Sequence, residues 1–239
     1  MNGNLSKFNH AFNELQNVIA NKINQSTDTN FGSLLKAAQV RNDKVILTYI
    51  DKLNFYREFR NLLTHKTFNS EEAIAIPSIS LIEDIKEITE KIKHPKKVKD
   101  LFLNEVVTFN QEDKLSSVLE VVKARRYSQF PVFNSNQLIG IISENGITNF
   151  LANSIDDDLI SIKETSIKNI LDADEEKDLY EVITENKSIF DIESIFNKRV
   201  NEGKTAYLLL ISKGNSILSG DDVVGIITPW DIPTIIENK

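Results

Sequence analysis

Two places in the chain carry residue types whose spacing could do chemistry. The octapeptide Gly140-Ile-Ile-Ser-Glu-Asn-Gly-Ile147 returns, altered, about 85 residues later as Gly225-Ile-Ile-Thr-Pro-Trp-Asp-Ile232. Each copy is an apolar strand that runs into a hydroxyl residue and a helix start, which turns backbone N–H groups toward an anion. The second place is Arg60-Asn61-x-x-x-His65, near the end of a helical segment. A histidine can exchange a proton near neutral pH. An arginine can grip a phosphate with two N–H groups and stabilise charge developing on it.

Each place also has a purely structural reading. Thr228-Pro-Trp-Asp231 is a good helix start, with a hydroxyl cap, Pro at the first helical position and an acid at the third. The first copy keeps the hydroxyl, Ser143, but has Gly146 where the acid should stand, with Asn145 one position early. Arg60 and His65 lie about 140° apart around a helix, so they share no stripe. Arg60 could instead bind another helix, and His65 suits the last turn of its own. Lys52, Arg57, Arg60, His65 and Lys66 form a local basic group. Lys96, Lys97 and Lys99 either reach a phosphate or are solvated, and Trp230 either packs or stacks on a base. Asp156-Asp-Asp158 reads as a solvated acidic loop, without the spacing of a calcium loop.

These residues need elements to position them. Phe8, Phe12, Leu15, Ile19 and Ile23 form a one-sided helical stripe, ended by Ser26-Thr-Asp-Thr-Asn30. Helices are predicted over Phe31 to Val40, over Lys44 to His65 with Ile46, Ile50, Leu53, Phe59 and Leu62 inward, and over Ser80 to Lys93 with Leu81, Ile85, Ile88 and Ile92 inward. No segment before residue 95 alternates as strands do. After the basic linker from His94 to Asp100 the order becomes strand (Val106–Phe109), helix (Glu112–Arg125), two strands (Phe130–Phe133, Leu138–Ile142) and helix (Asn145–Ala152). The order recurs as Tyr180–Ile183, Asp191–Glu202, Ala206–Ser212, Val223–Thr228 and Pro229–Glu237. The expected class is α+β: an all-helical domain over 1–95 and two β-α-β-β-α repeats over 96–160 and 161–239, a duplication.

Composition narrows the functions. The 239 residues include no cysteine and only His10, His65 and His94, so no metal site is expected. No apolar run approaches the roughly 20 residues of a membrane span, and a cytoplasmic protein is expected. Of the net charge of −7, residues 96–239 carry 16 Lys+Arg against 24 Asp+Glu, a poor general nucleic-acid surface.

The repeats and their motif resemble a tandem pair of CBS domains, the Bateman module. The family's ending, Gly-apolar-apolar-Thr/Ser-x-x-Asp-apolar, is complete in the second copy and degenerate in the first. The resemblance implies a cleft for a regulatory adenine nucleotide (AMP, ADP, ATP or a related adenosyl ligand). Gly225, Thr228, Asp231 and Ser143 are its expected contacts, with Thr228 on phosphate and Asp231 on the ribose hydroxyls. Arg60-Asn61-x-x-x-His65 resembles the signature of HEPN domains, all-helical units that often act as metal-independent ribonucleases. That resemblance implies His65 as base, Arg60 on the scissile phosphate, Asn61 orienting one of them, RNA as substrate, and a homodimer that brings two motifs together. The expected function is a nucleotide-sensing module regulating an endoribonuclease. The alternative is a non-catalytic sensor whose helical half dimerises or docks a partner protein.

Overall fold

The computed structural model describes residues 3–65, 67, 68, 72, 73, 75–154 and 162–239. The chain divides into two units, one of residues 1–96 with 189–191 and 238–239, the other of residues 97–188 and 192–237. The architecture is α+β, with a mainly helical first unit and two three-stranded sheets among the described residues of the second.

In the first unit the stripe folds as expected. Phe8, Phe12, Leu15 and Ile19 of helix α1 (Gly3–Lys22) are buried. Each such side chain contributes roughly 1.5–3 kcal/mol of transfer free energy. Helix α2 spans Phe31–Val40, and Asn30 caps it by accepting from the Ser33 N–H at 2.9 Å. The long helix predicted from Lys44 is broken into α3 (Lys44–Thr48) and α4 (Ile50–His65). Tyr49 leaves the helical ladder, and its N–H turns back to Ile46 O at 3.1 Å. Tyr49, Leu53 and Tyr56 then become the inward face, while Ile50, Phe59 and Leu62 are only partly buried. Helix α5 (Ile79–Lys93) is capped by Ser78 and buries Ile82 rather than Leu81. Between α4 and α5, β1 (Thr67–Phe68) pairs antiparallel with β2 (Glu72–Ala73), a short ribbon that no alternation announces. The loop Asp156–Asp158 and Lys66 lie outside the described residues.

The second unit holds two sheets of matching topology. In the first, β3 (Phe109–Asn110) runs parallel to β4 (Gln129–Asn134), which pairs antiparallel with β5 (Gln137–Ser143). In the second, β6 (Tyr180–Thr184), β7 (Leu208–Ser212) and β8 (Val223–Ile227) repeat that order. Helices α6 (Leu115–Arg125) and α9 (Ile189–Asn201) follow the opening strands. Helix α7 (Glu144–Asn153) follows β5, and a 3-10 turn at Pro229–Asp231 leads from β8 into α10 (Ile232–Glu237). A helix the sequence did not announce, α8 (Ile167–Ala173), lies between the repeats.

Both faces of the central strands are buried, which explains their unbroken apolar runs. Phe130, Val132 and Ile142 pack with Leu115, Val118 and Ile147 of the first repeat and with Ile167, Ile170 and Leu171 of α8. Phe133 and Ile141 instead meet Leu208, Leu210 and Val223 of the second repeat.

The repeats also close one another. Before repeat one, the Val98 and Lys99 N–H groups donate to Lys187 O and Glu185 O of repeat two. Before repeat two, those of Ile167 and Lys168 donate to Asp113 O and Gln111 O of repeat one. Each lead-in segment thus straps the other repeat, and each runs on to the motif glycine. A Cβ on Gly225 would overlap the Phe102 carbonyl oxygen and stand 2.7 Å from Ile211 Cδ1. One on Gly140 would meet Leu171 Cδ2 at 3.2 Å and Lys177 O at 3.3 Å. A register shift sits beside each glycine, at Val132/Phe133 and at Ile211/Ser212, and bends the strand there.

Candidate functional site

The sheet edges of the second unit bring the two motif hydroxyls together. Ser143 and Thr228 border one cleft of about 390 Å³, with Ile141, Leu179 and Leu208 as its apolar lining and Tyr207 and Trp230 as its aromatic one. Trp230 is 91% exposed, so it stands at the rim rather than in a core. An adjoining cleft of about 400 Å³ shares Thr228, Ser128 and Gln129 and adds Glu105, Arg126 and Tyr127. Clefts of this size suit a small organic ligand.

Thr228 is fixed by its own turn. Its N–H and its hydroxyl both donate to Asp231 Oδ2, at 2.8 and 3.0 Å, and the Asp231 N–H returns to Thr228 O at 3.0 Å. The capping role expected of the pair is present, and it orients the carboxylate beside the cleft-lining hydroxyl. In the first repeat the Ser143 Oγ accepts from the Gly146 N–H at 3.0 Å and caps α7. Gly225 is held by packing: the Phe102 carbonyl leaves no room for a side chain.

Two residues escaped the sequence reading. Arg126, in a left-handed turn at the end of α6, puts an exposed guanidinium on the cleft wall. Of the linker lysines, Lys96 is bound through its Nζ to Asn238 Oδ1 at 2.7 Å. Asp174, just past α8, places its carboxylate against Gly146 and is 8% exposed. The signal was the glycine itself: a missing side chain leaves space that another must fill.

In the helical unit, Arg60 lies over the Phe12 ring, 5.8 Å from its centroid, as a structural contact between α4 and α1. Asn61 is exposed. His65 ends α4, and its side chain lies outside the described part of the structure. The basic group is weaker than its composition implied, because Lys52 pairs with Asp84 at 2.7 Å and Arg57 approaches Glu58 at 3.8 Å. Burial alone would raise the Asp84 carboxyl, but hydrogen bonds from Lys52 and Tyr56 outweigh it and hold it below the usual value. Burial pushes the Tyr49 hydroxyl up to about 12, helped by the nearby Glu87 charge. No described helix is long and apolar enough to cross a membrane.

Part of the second unit matches a known family. The CBS-domain model matches residues 98–153. No curated protein matches. Solved structures with a similar fold include an acetoin utilization protein (AcuB) from Vibrio cholerae, 20% identical over 60% of this chain and 92% of that one, TM-score 0.43. Another is the CBS domain pair of protein MJ0100 with 5′-methylthioadenosine and S-adenosyl-L-methionine, 16% identical over 60% and 97%, TM-score 0.39. A third is the CBS domain of a bacterial CNNM/CorC family Mg2+ transporter with ATP, 15% identical over 60% and 89%, TM-score 0.39. Residues 98–153 thus match a CBS domain, and the order of their elements and their closing motif recur after residue 166.

Proposed function

We propose that the CBS pair is a regulatory module that binds an adenine nucleotide or a related adenosyl ligand in the cleft beside Thr228. The observation that carries this is the convergence of Ser143 and Thr228, far apart in sequence, on one cleft with apolar and aromatic lining. An adenine would lie against the apolar lining and the aromatic rim. A ribose would find an acceptor in Asp231, and a phosphate a cation in Arg126 and N–H groups at the motif turn. Ligand binding regulates the helical unit only if the ligand prefers one arrangement of the protein. Calorimetric titration with AMP, ADP and ATP tests the site. Heat with at least one of them, weakened at least tenfold by Asp231→Asn, is expected. No heat and no thermal shift with any of them refutes the reading.

A second reading assigns the helical unit metal-independent endoribonuclease activity in a homodimer. Its support is the exposure of Asn61 beside the partly exposed Arg60, in the last turns of α4. His65 would remove the 2′-hydroxyl proton and Arg60 would hold the phosphate. This reading requires Arg60 to leave the Phe12 ring far enough to reach substrate, a contact worth about 0.5–1 kcal/mol at an exposed site.

A further inference from the structure

We propose that Asp174 is the acid of the first repeat, supplied from outside the motif, and that the first repeat therefore holds a nucleoside of its own. This rests on the nucleotide reading above and extends it to a second site. In repeat two, hydroxyl and carboxylate form a unit, Thr228 with Asp231 Oδ2 at 3.0 Å. In repeat one the acid position is Gly146, and the volume its side chain would fill is already taken by a carboxylate. A Cβ built on Gly146 overlaps Asp174 Oδ2, and lies 3.0 Å from Asp174 Cγ and 3.4 Å from Ser143 Oγ.

The local fold explains how the carboxylate arrives there. Helix α8 ends at Ala173, and the Asp174 N–H turns back to Leu171 O at 3.2 Å. Asp174 Oδ1 accepts the Glu176 N–H at 2.9 Å, which fixes the side chain with Oδ2 toward Gly146. The two lead-in segments differ in length at this point. From first strap bond to motif-glycine contact, Val98 to Phe102 is 4 positions and Ile167 to Lys177 is 10. Asp174 sits within that longer path. Glycine at 146 and aspartate at 174 are thus one arrangement, since an acid at 146 would collide with the one at 174.

A carboxylate that is more than nine-tenths buried strongly favours hydrogen-bond donors. Ser143 and Glu176, its immediate neighbours, both line the cleft. The two adjacent hydroxyls of a ribose supply two donors to one carboxylate. A purely structural role needs only Oδ1, as the acceptor for Glu176 N–H, and an asparagine amide oxygen would serve it equally.

That difference makes the test. The full chain is titrated calorimetrically with AMP, ATP and S-adenosylmethionine in separate runs. Two binding events per chain are expected with at least one of them. Asp174→Asn should weaken one event at least tenfold while leaving the melting temperature within a few degrees, and Asp231→Asn should weaken the other. The double variant Gly146→Asp/Asp174→Ala, which returns the acid to the motif, should restore the lost event. Gly146→Ala, which crowds the same carboxylate, gives the answer again if Asp174→Asn does not fold. A single event, lost in Asp231→Asn and unchanged in Asp174→Asn or Gly146→Ala, overturns the second site and leaves the nucleotide reading standing. No binding of any probe overturns both.

Discussion

Replacing Gly225 by alanine tests whether the motif glycine is a packing residue. The added methyl would overlap the Phe102 carbonyl oxygen and stand 2.7 Å from Ile211 Cδ1. The carbonyl cannot step aside freely. The Phe102 N–H is bonded to Val98 O and the Asn104 N–H to Val224 O, both at 3.0 Å, so the strap is tied down on either side of it. Overpacking of this kind costs about 1–3 kcal/mol. Weakening one strap bond adds about 0.5–1.5 kcal/mol. Alanine recovers about 0.4–1 kcal/mol by restricting the unfolded chain. The balance is a loss of about 2–3 kcal/mol, which lowers the melting temperature of the second unit by roughly 4–12 °C. Gly140→Ala should cost less, because its nearest neighbour is the movable end of Leu171, although its φ of +156° adds strain. Gly214→Ala, with nothing within 4 Å, is the control and should stay within about 0.5 kcal/mol of the parent. Scanning calorimetry of the three variants reads the order directly. If Gly225→Ala melts with Gly214→Ala, the packing argument is wrong.

Three further outcomes are expected. Asp231→Ala removes the acceptor of the Thr228 N–H and hydroxyl, so it should cost about 1 kcal/mol by urea denaturation besides weakening nucleotide binding; an unchanged midpoint would show that the cap contributes nothing. The lowered Asp84 carboxyl means that its bonds to Lys52 and Tyr56 stabilise the helical unit above the unfolded value near about pH 4, and that this support is lost as pH falls through the folded value. Asp84→Asn should therefore flatten the stability–pH curve below about pH 4, and a curve parallel to the parent's would contradict this. Incubation with a mixed RNA pool without metal should give cleavage that His65→Ala reduces at least a hundredfold; cleavage unchanged in the variant rules out the catalytic role, and none in either favours the non-catalytic sensor.

Elements with a strong period were legible from the chain. The stripe from Phe8 to Ile19 and the apolar run of β7 each have one burial solution, so pattern and structure agree. Where two solutions compete, neighbours decide. Leu81 and Ile82 are adjacent on α5, and packing against the rest of the unit selects Ile82. The break at Tyr49 has no glycine or proline to announce it. Helix α8 has only seven residues, too few for a period to stand out, yet Ile167, Ile170 and Leu171 complete the first repeat's core. The site shows the same division. Thr228 and Asp231 are three residues apart and announce their turn. Asp174 meets Gly146 from 28 positions away, a contact that only the fold can create.

The exchange of straps has a consequence for how such a unit can exist at all. A chain with a single repeat would carry a seal fitted to another copy and would leave its own edge open. Two such chains could satisfy each other only by trading seals, and the pair would dissolve on dilution. Joining both repeats in one polypeptide turns that trade into an internal event, at an effective concentration in the millimolar range for a short tether. The second unit is in this sense a swapped dimer made permanent, whose integrity does not depend on how much protein surrounds it. Its halves are not separable parts: removing either one takes away the piece that closes the other.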